Sequence, residues 1–149
     1  MSRLAASARL RIGVLGPVAA AALCTTPYAA GAGAVPFSAR LECESAPRPG
    51  RVICTATGTS GEPWKLRWAD ALVVMAPEFA APLRARVLAS ERDDHSAVVR
   101  IAFVASRSGE GEVAVRVRAV ACADPERRRC SAVEREATAV LRVLGEGDR

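Results

Sequence analysis

The stretch GEVAVRVRAVAC, residues 111–122, alternates apolar and charged side chains with a period of two. Four apolar side chains fall on one face of such a strand: Val113, Val115, Val117 and Ala119. Arg116 and Arg118 fall on the opposite face. A period of two, with one apolar and one charged face, is typical of a β-strand that covers a core on one side only. The stretch therefore predicts a half-buried strand.

Similar runs lie on both sides of this stretch and are separated by Gly, Pro and Asp clusters. They are FSARLECE (37–44), RVICTAT (51–57), HSAVVRIAFVAS (95–106) and EATAVLRV (136–143). Short alternating strands bounded by turn residues are typical of all-β domains. About seven such strands predict an immunoglobulin-like two-sheet sandwich, with a barrel as the alternative.

The segment WKLRW, residues 64–68, places Trp64, Leu66 and Trp68 on one face, which we expect to fill the core. Continuing this alternation would bury Asp70, so the strand must bend or end there. The apolar run ALVVMAP (71–77) is then a separate buried piece.

Two prolines frame the next segment, PEFAAP (77–82), and predict an irregular or edge segment because proline cannot donate to a sheet ladder. Phe79 within it is a candidate for an exposed contact, the alternative being that it tucks over the sandwich edge. A short strand is expected in LRARVLA (83–89).

The N-terminus has the three parts of a secretory signal. Arg3, Arg9 and Arg11 precede an apolar run at residues 12–23 that is too short to span a bilayer, and the small residues 32–34 suit signal peptidase. We expect a signal peptide at 1–34, the sandwich at 35–144 and a disordered tail at 145–149. A lipid anchor at Cys24 and an uncleaved anchor are the alternatives.

Removing this leader, which has three arginines and no acid, lowers the formal net charge from +5 to about +2. This weak charge, with no Tyr, Asn or Gln in the mature chain, argues against nucleic acid as a partner. Twenty Arg against the single Lys65 are typical of a GC-rich bacterial genome. We expect a periplasmic or secreted protein, with no stable membrane insertion after cleavage.

The mature chain keeps four cysteines, Cys43, Cys54, Cys122 and Cys130, which favours two disulfides in an exported protein. The immunoglobulin pattern would join Cys54 to Cys122. Cys122, however, is in phase with the outward Arg116 and Arg118 unless a bulge intervenes. Local pairing, Cys43 with Cys54 and Cys122 with Cys130, is favoured because each pair is centred on a predicted turn.

The two local pairs differ in their surroundings. Cys43 and Cys54 belong to inward sets, which indicates a structural bridge, whereas Cys122 and Cys130 flank an exposed loop. That loop contains Arg127, Arg128 and Arg129, whose guanidinium groups would favour the thiolate of Cys130 and tune its exchange.

A family resemblance bears on this second pair. The stretch GEVAVRVRAVACADPERRRCSAVEREATAVLRV (111–143) is similar to the end of the periplasmic N-terminal domain of the membrane thiol:disulfide reductase DsbD and its relatives. The resemblance implies an immunoglobulin-like sandwich in which Cys122 and Cys130 exchange electrons with thioredoxin-like partners. The family's aromatic residue before the first cysteine and prolines after the second are absent, since residues 118–120 and 131–133 stand there.

Other chemistry finds little support in the sequence. His95 is the only histidine, next to Asp93 and Asp94, and it is interpreted as solvated because no hydrolase or zinc motif accompanies it. No cofactor and no metal are expected. The leading hypothesis is a non-catalytic binding or structural module of the cell envelope with an envelope or extracellular protein partner. The alternative is a periplasmic thiol:disulfide exchange domain that uses Cys122 and Cys130, with a thioredoxin-like partner.

Overall fold

The computed structural model describes residues 34–123 and 129–145. These residues form nine β-strands. The strands are β1 Phe37–Cys43, β2 Gly50–Ser60, β3 Lys65–Met75, β4 Ala80–Pro82, β5 Arg86–Leu88, β6 Glu91–Arg92, β7 Ser96–Ala105, β8 Gly109–Ala123 and β9 Arg129–Val143. Because β4, β5 and β6 are only two or three residues long, six long strands carry the fold, close to the predicted seven.

The strands form two antiparallel sheets that pack face to face. The first sheet has the order β1-β2-β7-β4, with β6 also paired to β7, and the second has the order β5-β3-β8-β9. The long strands β1-β2-β7 and β3-β8-β9 match the A-B-E and C-F-G orders of an immunoglobulin sandwich, and the short β4 and β5 each extend the edge of one sheet. The protein is therefore an immunoglobulin-like sandwich, as the alternating sequence predicts.

The core consists of the inward residues of both sheets. On β7, Ala97, Val99, Ile101 and Phe103 are all fully buried. On β8, Val113, Val115, Val117 and Ala119 are equally enclosed. The inward assignments for these two strands are thus confirmed, and so are Val52, Cys54 and Ala56 on β2. Small and β-branched side chains dominate this core, as suits two closely packed pleated sheets.

Strand β3 departs from the prediction because it contains a bulge. Leu66 pairs with Ala121 and Trp68 with Val120, so Arg67 has no partner on β8. One extra residue reverses the phase of everything after it. Leu66 points inward as expected, but Trp68 lies on the outer face, and the assignment of Trp68 to the core is wrong.

The same bulge explains how β3 passes Asp70 without ending. The strand runs unbroken to Met75, so residues 71–77 are not a separate piece. After the bulge the inward positions belong to Ala69 and Ala71, which are buried. Asp70 is carried to the outer face, and the core receives no charge. A second irregularity, at Val74, lies near the end of the strand.

Phe79 closes one edge of the sandwich. Its ring is 6% exposed, and a Cβ at Gly109 would lie 3.0 Å from it. The prediction of an exposed contact is therefore wrong, and the alternative, a side chain tucked over the edge, is confirmed. The flanking β4 pairs only with β7, as expected for a segment framed by prolines.

The opposite edge is closed by the segment after β1. The Ala46 N–H donates to the Arg142 carbonyl at 3.0 Å, and the Leu144 N–H donates to the Ala46 carbonyl at 2.8 Å. These bonds join the first sheet to the end of β9 in the second. They also show that the even-numbered residues of β9 direct their backbone polar groups away from β8.

Candidate functional site

The outer face of the second sheet collects polar and apolar side chains in rows that cross the strands. We call it the Arg–Trp face. One row contains Arg86, Leu72, Arg116 and Glu136. The next contains Leu88, Asp70, Arg118 and Glu134. A third contains Trp68, Val120 and Ala132. Cross-strand neighbours within a row are close enough for their side chains to interact.

Asp70 anchors this face. Its side chain is fully buried although it lies on the outer side of the sheet. Arg118 binds it with two hydrogen bonds, Nε to Oδ1 at 2.9 Å and Nη2 to Oδ2, and Arg86 donates a third from Nε to Oδ2. Both guanidinium groups also lie over the Trp68 ring, at 5.7 Å for Arg86 and 5.8 Å for Arg118. Two arginines and a tryptophan are thereby held in fixed positions.

The electrostatics of this cluster favour the charged states of Asp70 and Arg118. Burial alone would raise the pKa of Asp70, but the hydrogen bonds and charges of Arg118 and Arg86 outweigh it and leave that pKa below its ordinary value. The bond to Asp70 likewise raises the pKa of Arg118. Asp70 therefore remains a carboxylate at neutral pH.

The Arg–Trp face also carries exposed apolar side chains. Leu88 is 60% exposed and Val140 is 53% exposed, and Met75 is exposed at the far end of β3. A cleft of about 310 Å³ is lined by Trp68, Arg118, Ala119, Val120, Ala132, Val133 and Glu134. Aromatic residues, Met and Arg are the residue types enriched at protein interfaces. Their combination on this face is typical of a binding surface.

The outer face of the first sheet is different. Its β1 and β2 rows hold short polar and charged side chains: Ser38, Arg40, Glu42, Thr55, Thr57 and Thr59. Ser38 and Thr59 share a hydrogen bond of 2.7 Å, and Arg40 pairs with Glu42. These side chains satisfy one another or face water, so this part of the surface is a suitable internal control for the Arg–Trp face.

Two disulfides join neighbouring strands, and both follow the local pairing. Cys43 bonds to Cys54 and Cys122 to Cys130, and the Cα atoms are 4.0 Å apart in each pair. The Cys54–Cys122 alternative is excluded. The β8–β9 register is continuous, so Cys122 lies on the outer face with Arg116 and Arg118, as its phase predicts.

The surroundings of the two bridges differ as the sequence suggests. Cys54 is fully buried in the core, with Cys43 half-buried beside it. In the second bridge Cys122 is half-buried and Cys130 is exposed. Lys65 is the register partner of Cys122 on β3, so it lies on the same face of the sheet as Cys122. The Lys65 Nζ also binds Asp94 at 2.6 Å.

The predicted loop cations are only partly placed. Arg127 and Arg128 lie outside the described residues, and Arg129, at the start of β9, is exposed next to Cys130. His95 is half-buried, with Nε2 at 3.1 Å from Glu62. Within residues 34–123 and 129–145, no group of three or more His, Cys, Asp or Glu side chains is arranged to hold a metal ion.

Alternation along the sequence does not reveal that Asp70, Arg86 and Trp68 belong to one cluster. The sequence does contain an indication of this cluster, because strict alternation along β3 would place the Asp70 carboxylate in the core, which is unfavourable. A bulge resolves such a conflict, and an outward carboxylate then needs cationic partners from the neighbouring strands. Which strands are neighbours is decided by the sheet order, which alternation alone does not give.

In the described part of the chain, no helix has the length and apolar character needed to cross a membrane. The two disulfides indicate folding in an oxidising compartment, extracellular or periplasmic. No protein-family model matches the chain, and comparison with curated proteins finds no significant relative.

Proposed function

We propose that this chain is an exported, non-catalytic binding module of a bacterial cell envelope, and that it binds a protein partner through the Arg–Trp face. The observation that supports this proposal most strongly is the cluster around Asp70. This fully buried carboxylate holds Arg86 and Arg118 over the Trp68 ring, and the exposed Leu88 lies beside them. Rigid arginine and tryptophan side chains lose little entropy on binding and are the usual energetic centres of interfaces.

The disulfides support the rest of this proposal. Each bridge closes a short loop, with sequence separations of 11 and 8 residues, and would contribute roughly 2.5–3 kcal/mol in the chain-entropy treatment. Such bridges are typical of small exported domains whose cores are limited. A stable scaffold with one apolar and arginine-rich face fits a binding module.

Photocrosslinking in the cell tests this function. A photoreactive amino acid is placed at Leu88 on the Arg–Trp face, and the matched control carries it at Thr57 on the outer face of the first sheet. We expect a discrete crosslinked product from position 88 and none from position 57. Equal products at both positions, or none at either, would contradict the proposal.

A second function, thiol:disulfide exchange at Cys122–Cys130, is favoured by the exposure of Cys130. In this reaction a partner thiolate attacks the Cys130 sulfur, the S–S bond breaks, and Cys122 leaves as a thiolate beside Lys65. The mixed disulfide is resolved when a second thiolate of the partner attacks the partner's own sulfur, so that Cys130 leaves as a thiolate, the partner gains a disulfide, and Cys122 and Cys130 are left reduced. This candidate agrees with the resemblance to the DsbD family, and its electron partner would be thioredoxin-like.

Titration in glutathione redox buffers, with alkylation mapping of each cysteine, tests this second function. An exchange-active bridge opens well above about −300 mV, whereas a structural one opens below it. Cys43–Cys54 in the same molecule is the internal control. Selective opening of Cys122–Cys130 supports exchange, and opening of both bridges only on unfolding rules it out.

A further inference from the structure

We infer that the Arg–Trp face binds the same face of a second copy of this chain, forming a twofold-symmetric dimer. The inference rests on the proposed binding function and names its partner. It starts from the charges on the face, which are of both signs and balanced. The two ionic rows contain three cations, Arg86, Arg116 and Arg118, and three anions, Asp70, Glu134 and Glu136.

Within one copy Arg86 and Arg118 pair with Asp70, and Arg116 lies 3.7 Å from Glu136, but the charges at the two edges of the sheet differ in sign. The outermost cation, Arg86, is on β5 at one edge and is 57% exposed. Glu134 and Glu136 are on β9 at the other edge and are both exposed. A face that is neutral overall, but positive at one edge and negative at the other, attracts neither a strongly acidic nor a strongly basic partner. Its charges are complementary to those of the same face on a second copy that is rotated by 180°.

The register shows how the copies meet. Arg86 and Glu136 stand at opposite ends of one row. A twofold axis in the interface plane, parallel to the strands and between β3 and β8, brings each Arg86 over the Glu136 of the other copy. The same rotation brings each Trp68 over the other Val120, at the mouth of the apolar cleft. The same twofold rotation thus places opposite charges against each other and apolar side chains against each other.

The size of the face is adequate. The three long strands, spaced by about 4.8 Å along the 11 residues of β3 at about 3.4 Å each, together with the three residues of β5, give on the order of 600 Å² per copy. Standard interfaces bury about 800 Å² on each partner. Leu88 and Val140, at 60% and 53% exposure, would be covered at the margins of this contact. The dimer therefore accounts for apolar side chains that the single chain leaves in water.

Opposite substitutions at one exposed position give the sharpest test. Leu88 shares a row with Glu134 and faces the Glu134 of the other copy in the dimer. Leu88→Lys should tighten dimerisation by roughly threefold through a new ion pair, and Leu88→Glu should weaken it by at least tenfold through like charges. Sedimentation velocity of the full chain, purified after export, measures both. Thr57→Lys and Thr57→Glu are the matched controls and should change nothing.

Each other outcome overturns the inference. Equal weakening by both Leu88 substitutions would indicate association through apolar contact alone, without this register. A wild-type chain that stays monomeric to about 1 mM would exclude the dimer. If that monomer still crosslinks from position 88 to a different protein, the binding function stands and only the identity of the partner is wrong. If it crosslinks to nothing, both fail.

Discussion

At the scale of single residues, Asp70 contributes most to the character of the surface. A carboxylate without solvent contact is destabilising unless its oxygens are hydrogen-bonded and its charge is compensated. Arg118 and Arg86 meet both needs, and in doing so they fix two guanidinium groups over one tryptophan. The binding face is thus a consequence of satisfying one buried acid.

Asp70→Asn should lower the free energy of unfolding by roughly 2–3 kcal/mol at neutral pH, because the amide replaces charge-assisted hydrogen bonds with weaker ones. The pKa of Asp70 is lowered in the folded state, so its stabilisation is present at neutral pH and is lost as pH falls through the folded pKa. Urea unfolding between pH 2 and pH 7 should show a smaller acid-dependent loss in the variant than in the wild type. Parallel profiles would show that Asp70 does not supply this pH dependence.

The arginines that hold Asp70 differ in exposure, and this gives a second prediction. Arg118 is 31% exposed and makes two bonds, whereas Arg86 is 57% exposed and makes one. Arg118→Ala should therefore destabilise the fold more than Arg86→Ala, by roughly 1 kcal/mol. Thermal unfolding of both variants checks the order, and the reverse order would contradict the geometry.

At the scale of elements, the bulge in β3 decides what the second sheet presents. Before Arg67 the strand sends Leu66 into the core, and after it Ala69 and Ala71 take the inward positions. The large Trp68 and the charged Asp70 are thereby kept out of a core of small and branched side chains. The bulge is a structural requirement of this sequence, because without it the strand would have to bury an acid.

Deletion of Arg67 tests the bulge directly. Removing this residue joins Leu66 directly to Trp68, so regular alternation keeps Leu66 inward and Asp70 on the outer face without a bulge, and we expect a folded variant whose free energy of unfolding lies within about 1 kcal/mol of the wild type. Arg67→Ala keeps the extra residue, and this control should lie within about 0.5 kcal/mol of the wild type. Circular dichroism with urea unfolding measures both variants. A deletion variant that loses more than about 4 kcal/mol, or that does not fold, would contradict the assignment of Arg67 as the extra residue of the strand.

At the scale of the whole molecule, the two disulfides fasten different parts of the sandwich. Cys43–Cys54 joins the first two strands of the first sheet inside the core, and Cys122–Cys130 joins the last two strands of the second sheet near the surface. Their loops are similar in length, so their entropic contributions are similar. The difference between them is burial, which separates a structural bridge from an accessible one.

Paired substitutions should show this difference. Replacing Cys43 and Cys54 together by alanine should cost roughly 3–5 kcal/mol, because the loop constraint is lost and a cavity forms at the fully buried Cys54. The same replacement of Cys122 and Cys130 should cost roughly 2–3 kcal/mol. Equilibrium unfolding measures both. Equal costs would show that burial of the first bridge adds nothing.

The sequence by itself determined the sandwich, the inward sets of β2, β7 and β8, and the local pairing of the disulfides. The alternation of apolar and polar side chains depends only on which face of a strand is exposed to solvent, so it can be recognised from neighbouring residues in the sequence. The outward phase of Cys122 could be read in the same way. The signal peptide and the domain limits stay predictions.

Only the tertiary structure decided that Trp68 and Asp70 lie on the outer face and that Arg86 and Arg118 meet there. These residues come from three strands, and a cluster assembled across strands depends on sheet order and register. The decisive event was a single unpaired residue, Arg67, whose insertion reverses the side-chain phase of the strand after it. The strand could bend, end or form a bulge at this point, and the packing of the whole sheet decides which of these occurs. A bulge forms because leaving one residue unpaired costs less free energy than burying the charge of Asp70 in the core.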